Sequence, residues 1–234
     1  MDQITPLRFV EFLIQYSFFL LSAAVHESSH AWTAFKFGDP TAKLQNRISL
    51  NPANHIDIVG TVIIPFVVFL SNVPIIGWAR PTPVNSANFE NPKRAGMFVS
   101  GAGPISNLLS VAALAILWHL ADAFAPKTST PEITMATRIP LLFCYVFAVG
   151  ILVNLMLAVF NMLPIHPLDG SGVLEGILPQ SWSEAYAKMR PYGFILLLIL
   201  FYLPGFRRVL GVIIGILFYL LRIDPESLSL QRIW

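Results

Sequence analysis

Long apolar runs are the feature that most limits how this chain can fold. Four of them are long enough to be considered as membrane helices, since a helix needs about 20 mostly apolar residues to cross the hydrocarbon core. They cover residues 9–36, 58–77, 95–121 and 139–163. Only 12% of the 234 residues are charged, against about a quarter in soluble domains. The sequence therefore predicts an all-α polytopic membrane protein, with residues 1–234 forming a single membrane-embedded domain.

The segments between these runs add a few smaller predicted elements. Loose alternation of apolar and polar residues predicts short strand-like pieces at 42–50 and 78–84, the second of them restricted by two prolines. A further apolar stretch at 192–221 is interrupted by a Pro-Gly pair, so its arrangement stays open. About five to six helical segments are expected in all.

Charge and cysteine content argue against a nucleic-acid-binding protein and against a fold supported by disulfides. The net charge is only +2 and the lysines and arginines are scattered, so no surface for nucleic acid is expected. The single cysteine, Cys144, lies inside an apolar run and has no second cysteine to pair with. The lipid bilayer is therefore the expected environment for most of the chain.

The pattern H-E-x-x-H stands near the end of the first apolar run, as His26-Glu27-Ser28-Ser29-His30. Because four residues make about one helical turn, both imidazoles project from one face and can bind a single Zn²⁺. Glu27 lies beside that face, where its carboxylate can take a proton from a metal-activated water that attacks a peptide carbonyl. Ionisable groups this dense in a membrane helix are costly unless they serve a site. The motif predicts a zinc metalloendopeptidase with Glu27 as the catalytic base.

A third metal ligand has to come from another part of the chain, since a catalytic zinc takes three protein ligands and keeps one position open. Asp169 is the candidate. It lies in the segment Asn161–Gly170, just after the fourth apolar run, where two prolines end the helix and a glycine permits a close turn. We expect one Zn²⁺ per chain, bound by His26, His30 and Asp169.

These residues together resemble the site-2 protease family of intramembrane zinc metalloproteases. His26–His30 is similar to the metal helix of that family, and Asn161–Gly170 is similar to its second signature, an Asn, prolines and Leu-Asp-Gly. Three further stretches resemble the short bacterial members that lack PDZ and CBS domains: Gly38–Ala42, Arg47–Pro52 and Gly103–Asn107. His166 and Gly172 depart from the family pattern. The resemblance implies that the substrates are single-pass transmembrane proteins, such as anti-sigma factors or leftover signal peptides.

Asparagines in the apolar helical stretches are the other candidate site residues. Lipid would leave the amides of Asn107, Asn154 and Asn161 unpaired, so they should face the protein interior. The resemblance implies that Asn161 contacts the substrate backbone or the developing oxyanion. Asn107 is a second candidate for that role. Hydrogen bonding between helices is the alternative for all three.

The expected zinc site limits how many runs can cross the membrane. The two histidines close the first run and Asp169 follows the fourth, so four crossings would put them on opposite faces, about 30 Å apart. One zinc could not bind all three. The weakest run is 58–77, which has Pro65 at its centre and polar residues and a second proline in its second half. We predict that this run is re-entrant and covered by protein.

The basic residues then indicate the orientation. With a re-entrant second run, most lysines and arginines before the C-terminal stretch fall on the zinc side. The positive-inside rule makes that side cytoplasmic. We expect an integral membrane protein, of a bacterial cytoplasmic membrane by the resemblance, with the N-terminus outside and the zinc site towards the cytoplasmic side.

Two other functions stay open from sequence alone. A catalytically inert relative would bind the metal without cleaving peptides, although the intact Glu27 argues against it. An ion transporter would use the same four ionisable residues as an ion path, but the chain has none of the internal repeats that transporters often carry. The roles of His55 and His166 and the oligomeric state also stay open.

Overall fold

Helices make up nearly all of the regular structure of this protein. The computed structural model describes residues 5–71, 77–126 and 134–230. In these ranges there are nine α-helices, the second of them a single turn: α1 (Pro6–Lys36), α2 (Thr41–Leu44), α3 (Ile64–Leu70), α4 (Pro92–Ala123), α5 (Met135–Asn161), α6 (Asp169–Ile177), α7 (Gln180–Ala187), α8 (Gly193–Tyr202) and α9 (Pro204–Leu220). A π-helix, Ile58–Ile63, leads directly into α3, and 3₁₀ turns lie at Pro52–His55, Ser86–Asn88, Arg190–Tyr192 and Pro225–Leu228.

Two sequence-based predictions about these elements were wrong. The count of five to six helical segments was too low, because connections such as the one after Asp169 are helical as well. The strand-like pieces are not seen among the described residues. In the first piece Thr41–Leu44 forms a helical turn, and the second, 78–84, is extended without a partner strand. The prolines of the second piece lack the N–H groups that a strand ladder needs.

Within the described ranges, three single helices are long and apolar enough to cross a membrane, α1, α4 and α5, and a bent pair of helices near the C-terminus would make a fourth span if it crosses as one. The three single helices pack against one another, and α4 lies in contact with both of the others. The C-terminal half of α1 lies beside the N-terminal half of α4, since His26 contacts Asn107 and His30 contacts Val99. The helix α5 runs antiparallel to α4, so the C-terminal end of α5 lies beside the N-terminal half of α4. The end of α1 and the end of α5 therefore lie on the same side of the three-helix unit.

The second apolar run is shorter than a membrane span. Its helical part runs from Ile58 to Leu70, about 20 Å of helix against the roughly 30 Å of a hydrocarbon core. It packs along α1, where the rings of Phe12 and Phe69 are 4.3 Å apart and the Tyr16 hydroxyl donates to the Thr61 carbonyl at 2.8 Å. The predicted run also includes residues 72–76, which lie outside the described residues.

The chain returns from this segment to the level at which it entered. The Trp78 N–H donates to the Gly60 carbonyl at 3.2 Å, and the Arg80 N–H donates to the His55 carbonyl at 2.8 Å. Residues on either side of the helix are therefore hydrogen-bonded to each other. The segment therefore enters and leaves at one level, and its far end, at Phe69, lies beside Arg8 in the first turn of α1.

The C-terminal apolar stretch forms a bent pair of helices. The helix that ends at Tyr202 and the helix α9 meet at an angle of 83° at the Pro-Gly pair, which the missing proline N–H explains. Ile214 and Phe218 of α9 pack into a buried cluster with α4 and α5, which includes Trp118 and Ile151. This cluster lies away from the histidines and leaves them in a separate polar layer.

Candidate metal centre

His26, His30 and Asp169 come together in the interior of the protein. Each offers one nitrogen or oxygen atom, and these three atoms lie within 4.8 Å of one another. The Asp169 Oδ2 is 3.0 Å from the Nε2 of His26 and 3.4 Å from the Nε2 of His30. The sequence therefore correctly predicted that these three residues come together. Their role as metal ligands stays a prediction.

The two histidines are held on the buried face of α1. Their four-residue spacing puts the rings next to each other, with centroids 4.6 Å apart and planes nearly perpendicular. Both side chains are buried. They face α4, where Gly103 has no side chain to occupy the space beside their Nε2 atoms.

Asp169 is the first residue of α6, and close packing of α6 on α4 sets its position. A Cβ at Gly172 would overlap the Ser100 side chain, and a Cβ at Gly176 would overlap Met97. The two glycines, four residues apart, therefore form one face that lies directly on α4. A side chain at Gly172 would therefore require Ser100 to move.

Hydrogen bonds set the tautomers of both histidines. The Nδ1 of His26 lies 2.6 Å from the Oδ1 of Asn107, and the Nδ1 of His30 lies 2.6 Å from the carbonyl oxygen of Val99. A carbonyl oxygen can only accept, so each Nδ1 carries the proton. Each neutral ring then directs the Nε2 lone pair towards Asp169, the arrangement of metal-binding histidines.

The space between these atoms fits a cation. The two Nε2 lone pairs and the Asp169 carboxylate would repel one another without one, and the buried Oδ2 has no hydrogen-bond donor among the described residues. A Cβ added at Gly103 would lie 2.5 Å from the His26 Nε2 and even closer to the His30 Nε2. The glycine thus keeps the space in front of both nitrogens open. Two imidazoles and one carboxylate are a donor set that suits Zn²⁺ with one position free.

Glu27 lies next to this centre and is held by the 78–84 segment. Its Oε2 accepts a hydrogen bond from the Thr82 backbone N–H at 2.8 Å, and the Thr82 hydroxyl lies 2.8 Å from the same oxygen. The Oε1 has no partner among the residues that the structure describes. The carboxylate is therefore oriented by one oxygen and keeps the other available.

The two asparagines proposed for substrate or oxyanion contact lie in different surroundings. Asn107 is fully buried; its Oδ1 contacts His26, and its amide donates to the Oδ1 of Asn154 at 2.9 Å. In this structure Asn107 therefore contacts His26 and does not face a position that is open to substrate. Asn161 is half-buried, and its amide donates to the carbonyl of Leu157 in its own helix at 2.9 Å. Its amide oxygen is available at the end of α5.

Asn107→Ala is expected to lower the affinity for Zn²⁺ by about 10- to 100-fold, the usual cost of losing the partner that orients a metal-binding histidine. The His26 ring would lose the acceptor of its Nδ1 proton. Competition with a chromophoric chelator measures the affinity. Asn161→Ala is the control, because the hydrogen bond of that amide in the described part of the chain is to Leu157 in its own helix. An Asn107→Ala protein with the wild-type affinity would contradict this role.

The structure also shows which groups His55 and His166 contact. The Nε2 of His55 is 2.8 Å from the Ser49 carbonyl, and burial lowers the pKa of His55, so the neutral ring donates there. The Nε2 of His166 lies 3.3 Å from Glu175, whose other oxygen pairs with Arg190 at 2.6 Å. Neither ring is among the three groups gathered at the candidate site. The Glu175 pairs join the loop before Asp169 to the C-terminal helices, and no local pattern indicated them.

Two buried histidines one helical turn apart, with a carboxylate as the third group and an adjacent glutamate, form the arrangement that is typical of zinc metallopeptidases, here in a helical membrane protein. The chain is 38% identical over 185 residues to a Bacillus subtilis (strain 168) protein named "Putative zinc metalloprotease YwhC", which covers 79% of the chain and 78% of the relative. The chain belongs to the site-2 protease family.

More distant relatives carry a similar name. The chain is 28% identical over 213 residues to "Putative zinc metalloprotease Rip2" of Mycolicibacterium smegmatis, over 88% of the chain and 74% of the relative. It is also 28% identical over 235 residues to the Rip2 protein of Mycobacterium tuberculosis (strain H37Rv), over 97% of the chain and 80% of the relative. No family model and no solved structure matches the chain.

Proposed function

We propose that this protein is an intramembrane zinc metalloprotease that hydrolyses peptide bonds of transmembrane proteins. One Zn²⁺ is held by His26, His30 and Asp169, and Glu27 is the catalytic base. The observation that carries the proposal is the set of three donor atoms within 4.8 Å, with both histidine Nδ1 atoms already bonded elsewhere. Membership of the site-2 protease family supports the same reading.

The chemistry divides between the metal and Glu27. Zinc held by these three residues would supply a Lewis acid, which would polarise the scissile carbonyl and lower the pKa of a bound water towards neutral pH. Glu27 takes the proton of the attacking water through its unpartnered oxygen. It then gives that proton to the leaving amine, as general base and later as general acid. Asn161, with a free amide oxygen and a partly exposed position at the end of α5, is the candidate to contact the substrate backbone or the developing oxyanion.

The fold supports a site within the membrane. His26 lies about 15 Å before the end of α1, inside a helix that is long and apolar enough to span. We propose that α1, α4 and α5 cross the membrane and that the segment Ile58–Leu70 is re-entrant. The chain before it and the chain after it are hydrogen-bonded to each other, Gly60 to Trp78 and His55 to Arg80, so the metal centre needs only three crossings.

The distribution of basic residues supports a cytoplasmic location for the zinc side. The opposite side has three basic residues before the C-terminal stretch, Arg8, Lys127 and Arg138. The zinc side has eight: Lys36, Lys43, Arg47, Arg80, Lys93, Arg94, Lys188 and Arg190. By the positive-inside rule the N-terminus is outside. A substrate helix would then be cleaved near its cytoplasmic end.

Removal of the metal tests this function. The purified protein should contain one zinc per chain and cleave a single-pass transmembrane test substrate in detergent or vesicles. We expect 1,10-phenanthroline to abolish cleavage and added Zn²⁺ to restore it, because the donor set leaves no other route to an activated water. Zinc bound in full without cleavage of any single-pass substrate would instead indicate an inert metal-binding relative.

A further inference from the structure

The extended segment 78–84 is bound along one edge by successive contacts. At the first contact Trp78 pairs through its N–H with the Gly60 carbonyl, and its carbonyl accepts from the Thr61 hydroxyl at 3.1 Å. At the second, Arg80 pairs through its N–H with the His55 carbonyl, and its carbonyl accepts from Arg47. Alternate residues of an extended chain point their backbone groups to the same side. The next residue in this series is Thr82.

The third contact is made with the proposed catalytic base itself. The N–H of Thr82 donates to the Glu27 Oε2 at 2.8 Å, where the two earlier residues donate to backbone carbonyls. The Thr82 hydroxyl lies 2.8 Å from the Oε2 and 2.9 Å from the backbone carbonyl of Glu27, so its one proton is shared between them. The Glu27 carboxylate therefore occupies the position that a partner strand would take.

The Thr82 contacts restrain the Glu27 side chain, whose rotation is not limited by α1 itself. Glutamate has three side-chain torsions, and Glu27 has no other hydrogen-bond partner among the described residues. Both Thr82 donors reach the same oxygen, so the plane of the carboxylate is set while the Oε1 stays open. The register of residue 82 is fixed by the backbone N–H bonds of Trp78 and Arg80.

We propose that Thr82 is a positioning residue that holds the Glu27 carboxylate in the orientation needed for proton transfer. The proposal rests on the proposed function, in which Glu27 is the base. Thr82 is not among the three residues gathered at the candidate metal site, and its hydrogen bonds in the described structure go to Glu27. Its loss should therefore slow the chemical step and leave zinc binding as it is.

Thr82→Val removes the hydroxyl and keeps the shape and the backbone N–H. We expect kcat to fall by about 10- to 100-fold, the range for a small misplacement of a catalytic group, with KM within about twofold and one zinc per chain. Thr82→Ser restores the donor and should return kcat to within about threefold of the wild type. A Thr82→Val protein with wild-type kcat, or a Thr82→Ser protein as slow as Thr82→Val, would overturn the proposal.

A matched control separates this contact from the folding of the segment. Thr61→Val removes the hydroxyl that donates to the Trp78 carbonyl, so it changes another side-chain contact of the 78–84 segment, away from Glu27, and keeps the backbone bonds that fix the register. We expect kcat of this variant to stay within about twofold. An equal loss of kcat in Thr61→Val and Thr82→Val would assign the effect to the segment as a whole and would reject a specific role of Thr82.

Amide hydrogen exchange tests the contact without any activity measurement. In Glu27→Ala the Thr82 N–H loses its acceptor, so a peptide covering residues 78–84 should exchange faster than in the wild type, by about tenfold at Thr82. Unchanged exchange would contradict the contact even if Thr82→Val failed to fold. Absence of cleavage by the wild type would count against the proposed function, whereas wild-type cleavage with an unaffected Thr82→Val would count against this inference alone.

Discussion

Glu27→Gln should lower kcat/KM by about 10²- to 10⁴-fold, the usual contribution of a general acid-base group, while the protein keeps one zinc per chain. Glutamine has the same shape, and its amide oxygen can accept the Thr82 hydrogen bonds seen in the structure. It cannot take a proton from water at neutral pH. The measurement pairs cleavage kinetics with zinc content by mass spectrometry on the same preparation.

The control for this variant is Glu90→Gln. Glu90 is exposed and precedes α4 on the zinc side, so the same change of charge is made away from the metal centre. We expect its kinetics to stay within about twofold of the wild type. A Glu27→Gln enzyme with more than a tenth of the wild-type kcat/KM would exclude Glu27 as the base.

Gly103→Ala is expected to lower zinc affinity by at least about a hundredfold and to abolish cleavage. The new Cβ would lie 2.5 Å from the His26 Nε2 and closer still to the His30 Nε2, which places it where a metal must approach both nitrogens. Packed helices do not yield easily to such an overlap. Equilibrium dialysis against Zn²⁺ measures the loss.

Glycines elsewhere in α4 provide the control for this second variant. A Cβ at Gly101 would make only ordinary contacts, 3.8 Å from Ile105 and Val173, and a Cβ at Gly96 would meet nothing within 4 Å. Alanine is the better helix former, so Gly101→Ala and Gly96→Ala should be neutral or stabilising by up to about 1 kcal/mol. Wild-type zinc binding by Gly103→Ala would contradict the position proposed for the metal.

Local sequence patterns were enough to predict which ionisable groups meet. His26 and His30 are one helical turn apart, so any helix at this point brings their rings together. Asp169 could be predicted because the prolines before it end α5, and the chain has to turn there. The structure brings all three within 4.8 Å, and the identity of the bound metal stays a prediction.

A physical condition, and not a local pattern, predicts that the second apolar run is re-entrant. Its hydropathy alone suggests a crossing, but a fourth crossing would separate the histidines from Asp169 by about 30 Å. The structure has only a short helix there, from Ile58 to Leu70. The requirement that distant residues share one ion therefore corrected what the hydropathy pattern alone would have implied.

Contacts between distant residues account for what sequence did not reveal. Thr82 is far from Glu27 along the chain, and a threonine between two prolines has no pattern that marks it. Asn107 was a candidate for substrate contact because it is polar in an apolar helix, and that feature does not tell a histidine partner from a substrate. The strand-like pieces failed for a related reason, since alternation in a short segment predicts a strand only where a second strand is available to pair with it.

X-ray absorption at the zinc K-edge of the purified protein tests the metal centre most directly. We predict one zinc per chain with about four nitrogen or oxygen neighbours at about 2.0–2.1 Å, scattering from two imidazole rings, and loss of this signal together with the zinc in Asp169→Ala. A protein that binds no zinc, or a spectrum with a sulfur neighbour at about 2.3 Å or without two imidazoles, would contradict a site made of His26, His30 and Asp169.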